Sequence, residues 1–373
     1  MEQPLAPNSV CNLAAVNLAE MADKETKTVN FEKLKHTVEV GVRMQDNVID
    51  ATPYFLEDNK RQALGERRVG LGVMGMHDLL IYCETEYGSE EGNKLVDKVF
   101  ETIATSAYRA SVELGKEKGS FPFLQGGTEE ETNRLRKAFT NTGFMKKMPE
   151  DIRESILENG IRNSHLLTVA PTGSTGTMVG VSTGLEPYFS FSYFRSGRLG
   201  KFIEVKADIV QEYLDRNPEA DPENLPNWFV SAMELAPEAH ADVQCIIQRW
   251  IDSSISKTVN APKGYSVDQV EKVYERLYKG GAKGGTVYVD GSRDSQVLTL
   301  KAEENSMDDE GEKQEKQKQH VVLVDTINEL RSTNVTIGSE IGNTCPVCRK
   351  GEVKEIGGCN TCTNCNAQLK CGL

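Results

Sequence analysis

No apolar run in this 373-residue sequence approaches the roughly 18 residues that a membrane span requires. The opening stretch, MEQPLAPNSV, has neither the basic start nor the apolar centre of a secretory signal. Positive charge is scarce too: 43 Lys and Arg against 56 Asp and Glu leave a formal charge of −13. Nucleic-acid binding rests on clustered Lys and Arg, so this balance argues against it. Small nucleotides stay open, because backbone N–H groups and helix ends hold phosphates without a net positive chain. There is no internal repeat. The five histidines, His36, His77, His165, His240 and His320, lack the spacing of a metal site or a triad and read as structural or surface residues. Cysteine is nearly missing from the body, where only Cys11, Cys83 and Cys245 occur, which excludes a disulfide-stapled secreted domain. What remains is an acidic, cytoplasmic α/β protein of two or three domains, or one large domain with an appendage.

The other six of the nine cysteines lie in the last 29 residues: Cys345, Cys348, Cys359, Cys362, Cys365 and Cys371. Such a terminal cluster points to a metal knuckle or a redox tail. The pairs Cys345/Cys348 and Cys362/Cys365 have the two-residue gap of a zinc ribbon, which lets four thiolates face one tetrahedral ion. Disulfides in an oxidised tail are the alternative. Cys359 also forms a Cys-x-x-Cys with Cys362, so the ligand register is not unique. The spare thiols are either redox shuttles or idle.

Upstream, the chain alternates helices and short strands. Phe31, Leu34, Val38, Val42 and Gln45 recur at helical spacing, as do Leu95, Val99, Ile103, Ala107, Ala110 and Leu114, with Gly115 or Gly119 as the stop. Strand-like runs are His165–Ala170, Phe202–Val205 and Thr286–Val289. Strands separated by helices favour a parallel α/β architecture. From Ala302 to Gln319 the composition shifts: seven acids and three lysines accompany only Ala302 and Met307 as hydrophobic residues. Such a stretch buries too little apolar area to offset its ordering entropy and reads as a flexible tether, with an exposed charged helix as the alternative. The expected domains are a body over 1–301, a charged linker over 302–320, a connecting segment over 321–344 and a Cys-rich tail over 345–373.

Two glycine-rich stretches remain. Val69–Gly75, VGLGVMG, contains a Gly-x-Gly-x-x-Gly, but ALGERR before it does not look like the strand that a dinucleotide fingerprint needs. Its glycines read instead as close packing where a helix begins. Asn163–Gly184, NSHLLTVAPTGSTGTMVGVSTG, runs from a strand-length apolar segment into Thr172, Gly173, Ser174 and Thr175. Small and hydroxyl residues at a helix start can surround a phosphate. The Gly-Lys-Ser/Thr of a Walker loop is absent, and an ordinary polar turn fits these residues equally.

Taken together, EQPLAPNSVCNLAAVNL, ERRVGLGVMG, RNSHLLTVAPTGSTG with TGLEPYF, WIDSSISKTVNAP, GGTVYVDGSRD and the terminal cysteines resemble the catalytic chain of ribonucleotide reductase. Within that family they resemble the adenosylcobalamin-dependent class II. The resemblance implies the C-terminal half of a ten-stranded α/β barrel, with a flexible linker and a zinc-ribbon tail. It implies reduction of ribonucleotides, diphosphates being the commoner substrate, by thiyl-radical chemistry. Glu2 then matches the general base that takes the 3′-hydroxyl proton, and Cys11 matches the second cysteine of the reducing pair. Thr172, Gly173, Ser174 and Thr175 match the loop for substrate phosphates. The tail implies zinc at Cys345, Cys348, Cys362 and Cys365, and electron shuttling by Cys359 and Cys371, with thioredoxin or glutaredoxin as reductant.

Where the family's loop reads Asn-Pro-Cys-Gly-Glu-Gln-Pro-Leu, this sequence has Met1 before Glu2, and the radical cysteine is not among its residues. The expectation is an enzyme completed by an N-terminal partner, in a higher oligomer. A non-catalytic or regulatory chain is the alternative. Class I enzymes relay the radical through adjacent tyrosines, whereas Gly285–Asp290 has Tyr288 followed by Val289, which favours cobalamin over a class I-type subunit with a separate radical generator.

Overall fold

The computed structural model describes residues 2–197, 200–222, 224–292, 341–345, 348, 350–356, 359–365 and 368–371; for 192–197, 200–206, 356, 359 and 368–371 it describes the backbone. The chain divides into two units, Met1–Lys301 and Ala302–Leu373. Residues 302–340, which include the expected linker and most of the connecting segment, lie outside the described residues.

The first unit is built on parallel strand pairing. Strand β1 (Asn12–Asn17) leads through a hairpin of two short strands, β2 (Ala22–Asp23) and β3 (Thr28–Val29), into helix α1 (Phe31–Ala51) and then α2 (Glu57–Glu66). Strand β4 (Val69–Met74) returns parallel to β1, with Asn12 opposite Val69 and Asn17 opposite Met74. Helices α3 (Met76–Tyr82), α4 (Glu90–Lys118), α5 (Glu129–Thr140) and α6 (Glu150–Asn159) follow. The 165–169 segment then runs parallel beside β4, with Leu71 N–H donating to Leu166 O at 2.8 Å and Thr168 N–H to Leu71 O at 3.2 Å. After α7 (Gly173–Met178) comes an antiparallel pair, β5 (Ser192–Gly197) and β6 (Gly200–Lys206), then α8 (Asp208–Arg216) and α9 (Pro237–Gln248). Residues 253–256 bond parallel to 165–169, through Val169 N–H to Ser254 O at 3.2 Å and Ser256 N–H to Val169 O at 2.8 Å. Strand β7 (Thr258–Ala261), helix α10 (Val267–Lys279) and strand β8 (Thr286–Val289) close the unit, β7 and β8 again parallel. The tracks therefore lie side by side in chain order, as an open parallel array; the described residues do not close it into a barrel.

Packing explains the helical periodicities. On α1, Leu34, Val38, Val42 and Ile49 are buried in the main core, and Asn30 caps the helix by accepting from Lys33 N–H at 2.9 Å. On α4, Val99, Ile103, Ala107 and Leu114 are buried, and the stop is Gly119 at φ +86°. Gly115, the other candidate stop, is an internal close contact: a Cβ there would stand 3.2 Å from Arg162 N. Arg67, at φ +46°, bonds Asp46 at 2.9 Å and Asp50 at 2.7 Å, and Asp46 also takes Asn163 Nδ2–H at 3.0 Å. This buried network ties α1 to the start of β4.

Val69–Met74 is a strand, buried at every residue, and α3 begins directly after Gly75. Gly70 and Gly72 are packed closely against neighbouring segments, as expected of glycines just before a helix, so size selects them. One local expectation is corrected. The Phe202–Val205 run lies in the antiparallel β5–β6 pair, where neighbouring strands need only a short turn, and takes no part in the parallel array. The second unit contains a three-stranded antiparallel sheet in the order β11 (Gln368–Cys371), β10 (Cys359–Cys362) and β9 (Val353–Ile356). No helix among the described residues is long and apolar enough to cross a membrane.

Candidate functional site

The N-terminal segment and three strand tracks meet over Gly70. A Cβ at Gly70 would stand 2.7 Å from Leu13 Cδ2, 2.8 Å from Cys11 Sγ and 2.8 Å from Thr168 Cγ2. Only hydrogen fits there, and its absence of bulk lets the Cys11 sulfur lie over β4 beside Thr168. Thr168 Oγ1 in turn sits between two carbonyl oxygens, that of Ser254 at 2.9 Å and that of Glu2. Ser254 N–H donates to the same Glu2 carbonyl at 3.1 Å. The main chain of Glu2 is thereby clipped across two tracks of the array, and Glu2 and Cys11 converge on Thr168 although separated from it by more than 150 residues of chain. Next to Glu2, both polar atoms of the Gln3 amide are buried without a hydrogen-bond partner among the described residues. Unpaired buried amide groups are costly.

Cys11 is half-buried, in the field of Arg68, Asp252 and Glu66. Burial pushes the thiol up to about 12; Arg68 opposes this, while Asp252 and Glu66 add to it. At neutral pH Cys11 is a protonated thiol, able to give hydrogen but slow as a nucleophile. Sequence reasoning overlooked Arg68 because adjacent arginines before a strand resemble any surface turn; in the fold it is buried, at 6% exposure.

The 165–169 track ends at Pro171, and α7 opens with Thr172 at φ +49°. Gly173, Ser174 and Thr175 are exposed in its first turn, where backbone N–H groups lack intrahelical partners. A Cβ at Gly173 would meet nothing within 4 Å, so space is open before those N–H groups. Thr172 differs: its hydroxyl accepts from Gly184 N–H at 2.7 Å and ties the returning loop. Three of the four expected residues thus face outward together, and the fourth shapes the loop.

Behind the loop lie buried polar anchors that the histidine spacing did not disclose. His77 Nδ1 accepts from Tyr188 N–H at 3.1 Å, and its Nε2 faces Trp228 O at 3.3 Å. Asp78 accepts from Tyr188 O–H at 2.7 Å and from Ser182 N–H at 2.8 Å. Burial pushes His77 down to about 3, so the ring is neutral. Lys257, fully buried, pairs with Glu186 at 2.8 Å and stands 3.0 Å from His240 Nδ1. Glu186 also takes Thr258 N–H at 2.6 Å, joining the loop after α7 to β7. Burial, then Lys257, push His240 down to about 3 as well. His77 and His240 are therefore structural, and His36 is exposed.

In the second unit the ligand atoms of Cys345, Cys348, Cys362 and Cys365 all lie within 4.8 Å of one another. Sulfur separations are 3.8 Å for Cys345 to Cys365 and 3.6 Å for Cys348 to Cys362. Tetrahedral metal–thiolate bonds of roughly 2.3 Å require sulfurs roughly 3.8 Å apart, so the set fits one such ion. The Asn364 amide and the backbone N–H groups of Gly351 and Lys350 hold the Cys348 thiol down to about 5. Cys359 and Cys371 lie outside this set; their backbones stand directly opposite each other across β10 and β11.

The parallel array, with the Glu2–Cys11 segment crossing its face and a hydroxyl-rich loop at one strand end, defines an α/β protein with a parallel-sheet core. Residues 1–288 match the model of the ribonucleotide reductase barrel domain, and the chain belongs to that family. It is 32% identical over 320 residues to the vitamin B12-dependent ribonucleoside-diphosphate reductase of Mycobacterium tuberculosis, covering 81% of this chain and 41% of that protein. The Thermoplasma acidophilum protein of the same name is 30% identical over 364 residues, 92% of this chain and 43% of the relative. The ribonucleoside-diphosphate reductase subunit alpha of Chlamydia pneumoniae is 29% identical over 280 residues, 66% of this chain and 26% of the relative. The chain spans about two fifths of the length of the B12-dependent relatives it matches.

Proposed function

We propose that this chain supplies the base, one reducing thiol, the phosphate loop and the electron-delivering tail of a cobalamin-dependent ribonucleoside-diphosphate reductase. The observation that carries this reading is the meeting of Glu2 and Cys11 at Thr168, beside a track that ends in the α7 loop. The radical cysteine and the remaining strands of the barrel come from a segment outside these 373 residues. Gly173, Ser174 and Thr175 hold the substrate diphosphate through N–H and hydroxyl donors, with Thr172 fixing the loop. Glu2 takes the 3′-hydroxyl proton once the 3′-hydrogen has been removed, and the 2′-hydroxyl leaves as water. Cys11 and a second cysteine supply two electrons and two protons in all, and end as a disulfide. A protonated, half-buried Cys11 suits that donation.

Adenosylcobalamin generates radicals when bound; no residue here is assigned to it, and no step above passes through it. In the tail, Cys345, Cys348, Cys362 and Cys365 hold a structural zinc ion. Cys359 and Cys371, opposed across two strands, form the dithiol that returns electrons to the Cys11 disulfide and is itself reduced by thioredoxin or glutaredoxin.

The test combines the purified chain with a polypeptide carrying the family's radical-cysteine half, and follows CDP reduction with adenosylcobalamin and dithiothreitol. Turnover is expected only in the mixture, and its loss with Cys11→Ser or Glu2→Gln. A stable complex with intact cofactor and no turnover would overturn the reading.

A further inference from the structure

The cavity beside Cys11 contains a charged group for which the proposed reaction has no use. About 350 Å3 in volume, it is lined by Cys11, Asn12, Ile49, Tyr54, Phe55 and Arg68, among others. Arg68 is 6% exposed, and its Nε and Nη1 make no hydrogen bond among the described residues. Glu66 stands 3.6 Å from Nε, an ion pair too long for a hydrogen bond, and its other carboxylate oxygen is taken by the Ser9 hydroxyl. A buried guanidinium with idle donors is costly unless negative charge comes to it. Two other ionisable groups share the cavity wall: the Tyr54 phenol, which donates to Ile49 O at 3.0 Å and takes no part in the proposed reaction, and the Cys11 sulfur, which develops charge in disulfide exchange.

We propose that Arg68 is a positioning residue for Cys11, stabilising the sulfur when it carries negative charge during disulfide exchange. This deepens the reductase reading and rests on its assignment of Cys11 as a reducing thiol. In the exchange, the thiolate of an incoming dithiol attacks the other sulfur of a disulfide that includes Cys11. A new S–S bond forms there, the old one breaks, and its electron pair goes to Cys11 Sγ. Cys11 leaves as a thiolate beside Arg68 and then takes a proton from water, while the second thiol of the dithiol displaces the other cysteine and closes the dithiol's own disulfide. A thiol leaves faster as its anion is better stabilised. The charged groups that face Cys11 are Arg68, Asp252 and Glu66, and of these Arg68 alone favours the anion.

The test needs no turnover. The purified chain is alkylated with iodoacetamide from about pH 7 to 9.5, and modification of the Cys11 peptide is timed by mass spectrometry. Arg68→Gln should slow Cys11 about threefold at every pH, because the smaller thiolate fraction outweighs the higher reactivity of a more basic thiolate. Arg68→Lys should restore part of the rate, and Glu66→Gln should raise it above that of the unmodified chain. The Cys83 and Cys245 peptides in the same digest report on folding and should keep their rates. Unchanged Cys11 rates in both Arg68→Gln and Glu66→Gln would overturn the proposal. Should Arg68→Gln loosen the fold, making Cys83 and Cys245 faster, the Glu66→Gln result decides alone: no acceleration refutes it. Failure here leaves the reductase reading standing, and loss of that reading leaves this pairing measurable.

Discussion

Gly70→Ala probes the convergence on which the site depends. The added methyl would meet three atoms from the two segments that flank β4: Leu13 Cδ2 at 2.7 Å and Cys11 Sγ at 2.8 Å on one side, and Thr168 Cγ2 at 2.8 Å on the other. Each is inside ordinary van der Waals contact; the half-exposed Leu13 end can turn aside, whereas Cys11 Sγ and Thr168 Cγ2 are short side chains with little room to move. One extra methyl in such packing costs about 1–3 kcal/mol. A loss near 2 kcal/mol lowers the ratio of folded to unfolded protein about thirtyfold. Urea unfolding followed by tryptophan fluorescence reads this directly, since Trp250 is buried and donates to Asp97 at 2.7 Å. Thr168→Ser removes one of the three crowding atoms yet keeps the hydroxyl between the Glu2 and Ser254 carbonyls. The double variant should therefore recover part of the loss, with a coupling of about 0.5 kcal/mol or more. If Gly70→Ala stays within about 0.5 kcal/mol of the unmodified chain and shows no coupling to Thr168→Ser, β4 and the two segments that flank it do not meet as described.

Acid should destabilise the first unit earlier than ordinary carboxylates would. His77 and His240 are held neutral near 3 in the fold, from an ordinary 6.5. Between those values the unfolded chain binds more protons, so stability is full above pH 6.5 and falls as pH drops toward 3. The urea midpoint should begin to fall near pH 6; a midpoint flat from about pH 6.5 to 5 would refute this. For the tail, the purified chain should carry about one zinc ion, lost with Cys345→Ser or Cys362→Ser but kept with Cys359→Ser. Metal retained in Cys362→Ser, or lost in Cys359→Ser, would show that the ligand register is wrong.

Much of this protein is written locally. The α1 and α4 stripes follow from 3.6-residue periodicity, and those helices bury the faces that periodicity marks. The two Cys-x-x-Cys pairs are legible because a two-residue gap already places both sulfurs toward one point, and the four do cluster. Other features were hidden because their partners are remote. Val69–Met74 gives no strand signal, since a strand covered on both faces carries no alternation and its glycines answer to Cys11 and Thr168, not to neighbours in sequence. Arg68, Glu186 and Lys257 gave no local signal; each gains meaning from a group brought to it by parallel strands whose connections run through whole helices. Periodicity and spacing act through the chain's own geometry over a few residues, so sequence alone determined the helices, the α/β alternation and the four-thiol cluster. The meeting of Glu2, Cys11 and Thr168, and the partial burial that raises the Cys11 thiol above its ordinary value, depend on which distant tracks lie side by side and how much water they exclude. Those are properties of the packed array, and only the tertiary structure decided them.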